Sequence, residues 1–135
     1  MADKHGSTNA DGIHEPFHID RVPVEEFSKG ERFASRFQQL GEFGGAAHVG
    51  VCMEILEPGK QACPAHYHML EEEHLMILEG ALTLRLGDRA YEMSAAHALI
   101  NNGKAPCRYL LIGERLTGEG YRQSGTMEYR DEQPT

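Results

Sequence analysis

HYHMLEEEHLMILEG, residues 66–80, is the stretch that decides the fold. Glu73, Leu75 and Ile77 alternate with His74, Met76 and Leu78 up to Gly80, the period of two that marks a strand with one apolar face. A strand therefore begins near Glu73, and Met69 to Glu72 form the turn that leads into it. Before the turn, His66 and His68 stand one residue apart. On a strand they face the same side with Cα atoms about 6.6 Å apart, close enough for two imidazoles to meet on one metal ion. Tyr67 points the other way. Glu73 shares its face with apolar residues and so points inward, where an ionised carboxylate needs a cation or strong hydrogen bonds. Across a hairpin it would lie beside the two histidines. Glu71 and Glu72 read as solvated turn residues, and His74, on the opposite face, is not expected to be a ligand.

Working outward, further strands appear on both sides. In AAHVGVCMEILEPGK, Val49, Val51, Met53 and Ile55 alternate with His48, Gly50, Cys52 and Glu54 before the turn signal EPGK. ALTLRL, then Gly87 and Asp88, then AYEM form a hairpin signature. HALIN and CRYLLIGER add two more strand-like runs joined by NGKAP. Nearer the N-terminus, VPVEEF can form a short strand, whereas ERFASRFQQL is ambiguous, because Phe33 and Phe37 sit four apart as on a helical turn. Short strands punctuated by glycine and proline, without a strong long helix, indicate an all-β sandwich or barrel. The small, polar residues at the start offer little to a core. The expected organisation is a flexible tail over residues 1–16, a β-domain over 17–115 and a C-terminal segment over 116–135.

Composition narrows the function. The chain has 135 residues, enough for one domain with a real core. With a net charge of −8 and only 13 lysines and arginines, scattered along the chain, it lacks the basic cluster that nucleic acid requires. No apolar run approaches the roughly 20 residues of a membrane span, and the first residues lack a secretory apolar core. The expected partner is a small molecule, with no nucleic acid and no membrane, and the expected compartment is the cytoplasm. Cys52, Cys63 and Cys107 show no CxxC spacing, so free thiols are expected. Cys63 reads as a small buried hydrophobe.

Outside the opening stretch, His97 stands in a strand-like run with Leu99 and Asn101 on its own face. His48 is the other histidine in a core strand; it either lines a pocket or is satisfied by ordinary hydrogen bonds. His5, His14 and His18 carry no assignment. At this point the residues resemble a known family, the cupins. Gly59, His66, His68, Glu73 and Gly80 fit the first cupin motif, and His97 with Asn101 fits the end of the second. The resemblance runs from about Gly41 to Arg115 and is strongest to small single-domain cupins, some of them named as sugar-phosphate isomerases. It implies a double-stranded β-helix, a jelly-roll barrel of two antiparallel sheets. It also implies one divalent transition metal ion (Fe, Mn, Ni, Co, Cu or Zn) held by His66, His68, Glu73 and His97.

One departure from the family pattern stands out. AYEMSA runs directly into AHALIN, where cupins normally place a further strand and turn, so one strand is expected to be shortened or missing, with an edge exposed. Three imidazoles and a carboxylate leave positions open on a six-coordinate ion, as a catalytic rather than a structural site requires. The expected function is a metal-dependent isomerase or dioxygenase acting on a small oxygen-rich metabolite, a sugar or a hydroxy or keto acid, that chelates the metal. His48 and Tyr67 are candidate bases. The alternative is a non-catalytic cupin that binds a sugar or organic acid. Cupins of this size usually pair, and the RVPVEEF region could add a strand to a neighbour's sheet, giving a homodimer.

Overall fold

The computed structural model describes residues 6–64, 72–92 and 99–114. Within them lie strands β1 (Glu25–Lys29), β2 (Phe33–Gln39), β3 (Val49–Leu56), β4 (Glu73–Glu79), β5 (Thr83–Leu86), β6 (Arg89–Glu92), β7 (Leu99–Ile100) and β8 (Cys107–Glu114), with one short helix, α1 (Leu40–Phe43). They form two antiparallel sheets, one of five strands in the order β1-β2-β3-β8-β4 and one of three in the order β6-β5-β7. β8 enters between β3 and β4, so the last described strand closes the large sheet that earlier strands left open. This is the layered β architecture expected from the strand pattern.

Each strand follows from its side chains. In β4, Glu73, Leu75 and Ile77 are half-buried while His74, Met76 and Leu78 are exposed, so the alternation in sequence is the alternation in space. Leu75 and Ile77 pack against a core of Leu56, Ala62, Leu82, Leu84, Leu99, Cys107 and Tyr109, drawn from both sheets and the loops between them. β5 and β6 form the expected hairpin, Leu86 pairing with Arg89 across Gly87 and Asp88. Two of the motif residues have structural work. Gly80 ends β4 at φ +81°, and a Cβ there would meet the Pro106 carbonyl oxygen at 2.8 Å, so only glycine fits without displacement. Asn101 is fully buried; its Nδ2 donates to the carbonyls of Leu56 (2.7 Å) and Ala105 (2.9 Å), and its Oδ1 accepts from Gly103 N (2.9 Å).

Two local expectations resolve differently. The ambiguous ERFASRFQQL is strand from Phe33 to Gln39, because β2 has strands to pair with on both sides, and ladder bonds outweigh a weak helical spacing. Residues 6–16, expected to be a flexible tail, fold back instead: Thr8 bridges to His14, Ser7 is buried, and Ser7 N donates to the Phe43 carbonyl at 3.2 Å. Farther along, Gln38 Nε2 donates to the carbonyls of Ile19 (3.0 Å) and Val22 (2.8 Å). The N-terminal segment thus ties down over the outward row of Gln38 and Met53, both buried. Among the described residues the three-stranded sheet is the slighter layer, and the strand expected to be shortened or missing before His97 lies outside the described residues.

Candidate functional site

Antiparallel register sorts the inward side chains of the large sheet into rows, since residues directly opposite one another face the same side. Phe37, Glu54, Tyr109 and Ile77 form one row across β2, β3, β8 and β4. Gln39, Cys52, Leu111 and Leu75 form the next. Gly50, Gly113 and Glu73 form the last. Nearest the packed core the rows carry bulky side chains; at the far end two glycines face each other and the only inward side chain contributed by β3, β8 and β4 is Glu73.

Glu73 therefore stands at the head of β4, half-buried on the inward face, as expected from the sequence. Gly113 makes its position available: a Cβ there would approach Glu73 Cγ to 3.1 Å and the Glu72 carbonyl to 2.9 Å. A carboxylate held inward beside a row emptied of side chains fits a hard donor for a metal ion. The other three expected ligands, His66, His68 and His97, lie outside the described residues, as does Tyr67. Among the described residues no group of three or more His, Cys, Asp or Glu side chains comes together as a metal site. His74 is exposed on the outward face. His48 is exposed as well, just before β3, so it does not line the interior and the pocket role considered for it is corrected. The strand's inward face begins only at Gly50, and the alternation carries His48 to the exposed end of the row.

A second cluster was not singled out by sequence reasoning. Glu54 is 8% exposed, in the middle of β3, on the face that sequence alternation had left as the less apolar one. Both faces of β3 are buried there, Met53 outward under the N-terminal segment and Glu54 inward. Burial raises the Glu54 pKa above the usual carboxylate range and the Glu73 charge adds to this, while the hydroxyls of Ser35 and Tyr109 pull it back. The Tyr109 side chain is fully buried, and its hydroxyl lies beside the Glu54 carboxyl. Burial above all, then Glu54, pushes the Cys52 thiol up to about 12, against a backbone hydrogen bond from Gln38. Cys52, Cys63 and Cys107 are free thiols, and Cys63 packs against the core as expected. The signal for this cluster was a carboxylate in the middle of VCMEIL, where a solvated strand would carry it at an end.

Phe27, Phe37, Cys52, Glu54 and Pro64 line a cavity of about 450 Å³ on this inward face. Among the described residues no helix is long and apolar enough to cross a membrane.

Residues 52–113 match the cupin domain family. Among solved structures, a protein of Acidithiobacillus ferrooxidans provisionally named a sugar phosphate isomerase is 29% identical, over 73% of this chain and 71% of that one, with a TM-score of 0.64. A sugar phosphate isomerase of the cupin superfamily from Silicibacter pomeroyi is 23% identical, over 90% of this chain and 96% of that one, with a TM-score of 0.68. The polyketide cyclase RemF of Streptomyces resistomycificus is 18% identical, over 90% of each chain, with a TM-score of 0.70. The curated proteins contain no match to the sequence. Two antiparallel sheets, an inward glutamate at the head of β4 and these neighbours lead to one conclusion: the chain has the cupin fold, and its residues 52–113 match the cupin domain family.

Proposed function

We propose that this protein is a metal-dependent cupin enzyme, an isomerase or dioxygenase acting on a small oxygen-rich metabolite such as a sugar or a hydroxy or keto acid. The observation that carries the reading is Glu73. It sits half-buried and inward at the start of β4, opposite Gly113 and in one row with Gly50, so neither β3 nor β8 sets a side chain beside it in that row. His66, His68, Glu73 and His97 would hold one divalent transition ion. Such an ion, when bound, supplies a Lewis acid to oxygens of the substrate. Glu73 would contribute charge as well as a bond, since a carboxylate turned away from water gains from a cation beside it. The apolar residues below it, Leu75 and Ile77 with Leu111, would exclude water from that end of the barrel. The neighbour that is 29% identical carries a sugar phosphate isomerase name, which supports an isomerase of a small oxygenated compound here.

Metal content by inductively coupled plasma mass spectrometry tests the reading. The parent is expected to carry near-stoichiometric metal, and His66→Ala, Glu73→Ala and His97→Ala are each expected to lose at least about ten-fold in affinity for it. A parent free of metal that cannot be reloaded would sink the proposal.

A further inference from the structure

We propose that the C-terminal segment of this chain, through Met127 and Tyr129, packs over the outward face of β4 and β8 and completes a cover that the N-terminal segment begins. It does not depend on the metal reading. Gln38, Met53, Leu110 and Met76 stand opposite one another across β2, β3, β8 and β4, in one row of the outward face. Gln38 and Met53 are buried, Leu110 is half-buried and Met76 is 55% exposed. The N-terminal segment is tied to the Gln38 end of this row, by the bonds from Gln38 to Ile19 and Val22, and burial fades away from that end. At the other end Leu78, 50% exposed, and Ile112, half-buried opposite His74, extend the apolar surface. Adjoining apolar side chains open to water on the face opposite the core mark a docking surface.

The chain itself supplies the occupant. β8 ends at Glu114, whose N donates to the Glu72 carbonyl at 3.2 Å beside the start of β4, and residues 115–135 lie outside the described residues. In that stretch TMEYR, residues 126–130, alternates Met127 and Tyr129 with Glu128 and Arg130, so an extended backbone there carries one apolar side to match the apolar strip. The tether is long enough: residues 115–126 span roughly 40 Å when extended, whereas Leu78 lies about 17 Å along β4 from Glu73. Gly118 and Gly120 stand where the chain would reverse. Tethering also makes the contact intramolecular, at an effective concentration of roughly millimolar, so a strip too small to hold a separate molecule suffices for this one. The cover would close the outward side of β4, the strand that carries Glu73 on its other face.

Methionine oxidation in the full chain tests the contact from both sides. The oxidant tert-butyl hydroperoxide attacks exposed thioethers, and peptide mass spectrometry reads Met76 and Met127 separately. Each is expected to oxidise at least about five-fold more slowly than in the same chain unfolded in urea. Met76→Asp should raise the rate at Met127 at least about three-fold, and Tyr129→Asp should do the same at Met76. A rate in the folded parent equal to that in urea, at either methionine, would overturn the proposal, as would a variant that leaves the facing methionine's rate unchanged. Protection of Met76 that rises with protein concentration would assign the strip to a second copy and likewise overturn it. Met76 is exposed among the described residues, so Asp there is expected to keep the fold; should circular dichroism show otherwise, Tyr129→Asp decides alone. Failure of the metal reading would show in metal content and leave these rates as they stand.

Discussion

Glu54 stands in an otherwise apolar strand, between Met53 turned outward and Ile55, with hydroxyls of Ser35 and Tyr109 beside its carboxyl. Its folded pKa lies above the unfolded value, so the folded state holds this proton more tightly. The associated stability is complete below the unfolded pKa, near 4.5, and is lost as pH rises through the folded pKa. Glu54→Gln removes the titration while keeping the shape. The difference in unfolding free energy between variant and parent is expected to be small near pH 4 and to grow in the variant's favour toward neutral pH. It should grow by about 1.4 kcal/mol for each unit separating the two pKa values. Urea unfolding at several pH values measures it; a difference that does not change with pH would contradict the reading.

At the scale of elements, two motif residues act on turns. Gly80 closes β4 against the Pro106 carbonyl, and Gly80→Ala would bring a Cβ into an approach of 2.8 Å at a φ of +81°. We expect a loss of about 1–3 kcal/mol, read as a lower midpoint with an unchanged slope in urea. Asn101 joins the end of β3 to the loop before β8 through Leu56, Ala105 and Gly103. Asn101→Ala leaves the buried Leu56 carbonyl, and the more exposed Ala105 carbonyl and Gly103 amide, without this partner, and should cost about 1–3 kcal/mol, again by urea unfolding. Neither substitution touches Glu73, so metal content per folded chain should hold. That separates the structural half of the motifs from the half proposed to bind metal.

For the whole molecule, the edge of the large sheet bears on assembly. All five residues of β1 are exposed, and β2 is its partner among the described strands. Two copies of Glu25–Lys29 laid antiparallel about Phe27 would set Glu25 of one against Lys29 of the other at both ends, a favourable cross-strand pairing. We propose a homodimer formed in this way, and light scattering should return twice the 15.0 kDa of one chain. Lys29→Glu, which turns both pairs repulsive, should shift the balance toward monomer. A parent that is monomeric at micromolar concentration would remove the proposal.

The alternation in EHLMILE was enough to place the start of β4, the direction of Glu73 and the exposure of His74, because a strand's side-chain period is fixed by its backbone. The ALTLRL hairpin, the strand at CRYLLIGE and the free thiols were legible for the same local reasons. ERFASRFQQL was not, since its strand character comes from β1 and β3 on either side, which no local spacing records. Glu54, Phe37 and Tyr109 were likewise out of reach: they are far apart in sequence and become neighbours only through ladder register. The N-terminal segment hid β3's outward face, so both faces of that strand are interior where its sequence allowed only one. Sequence by itself determined the strands, their periods and the inward glutamate; tertiary structure decided which buried polar groups share a cavity, because pairing between distant strands, not local propensity, sets that proximity.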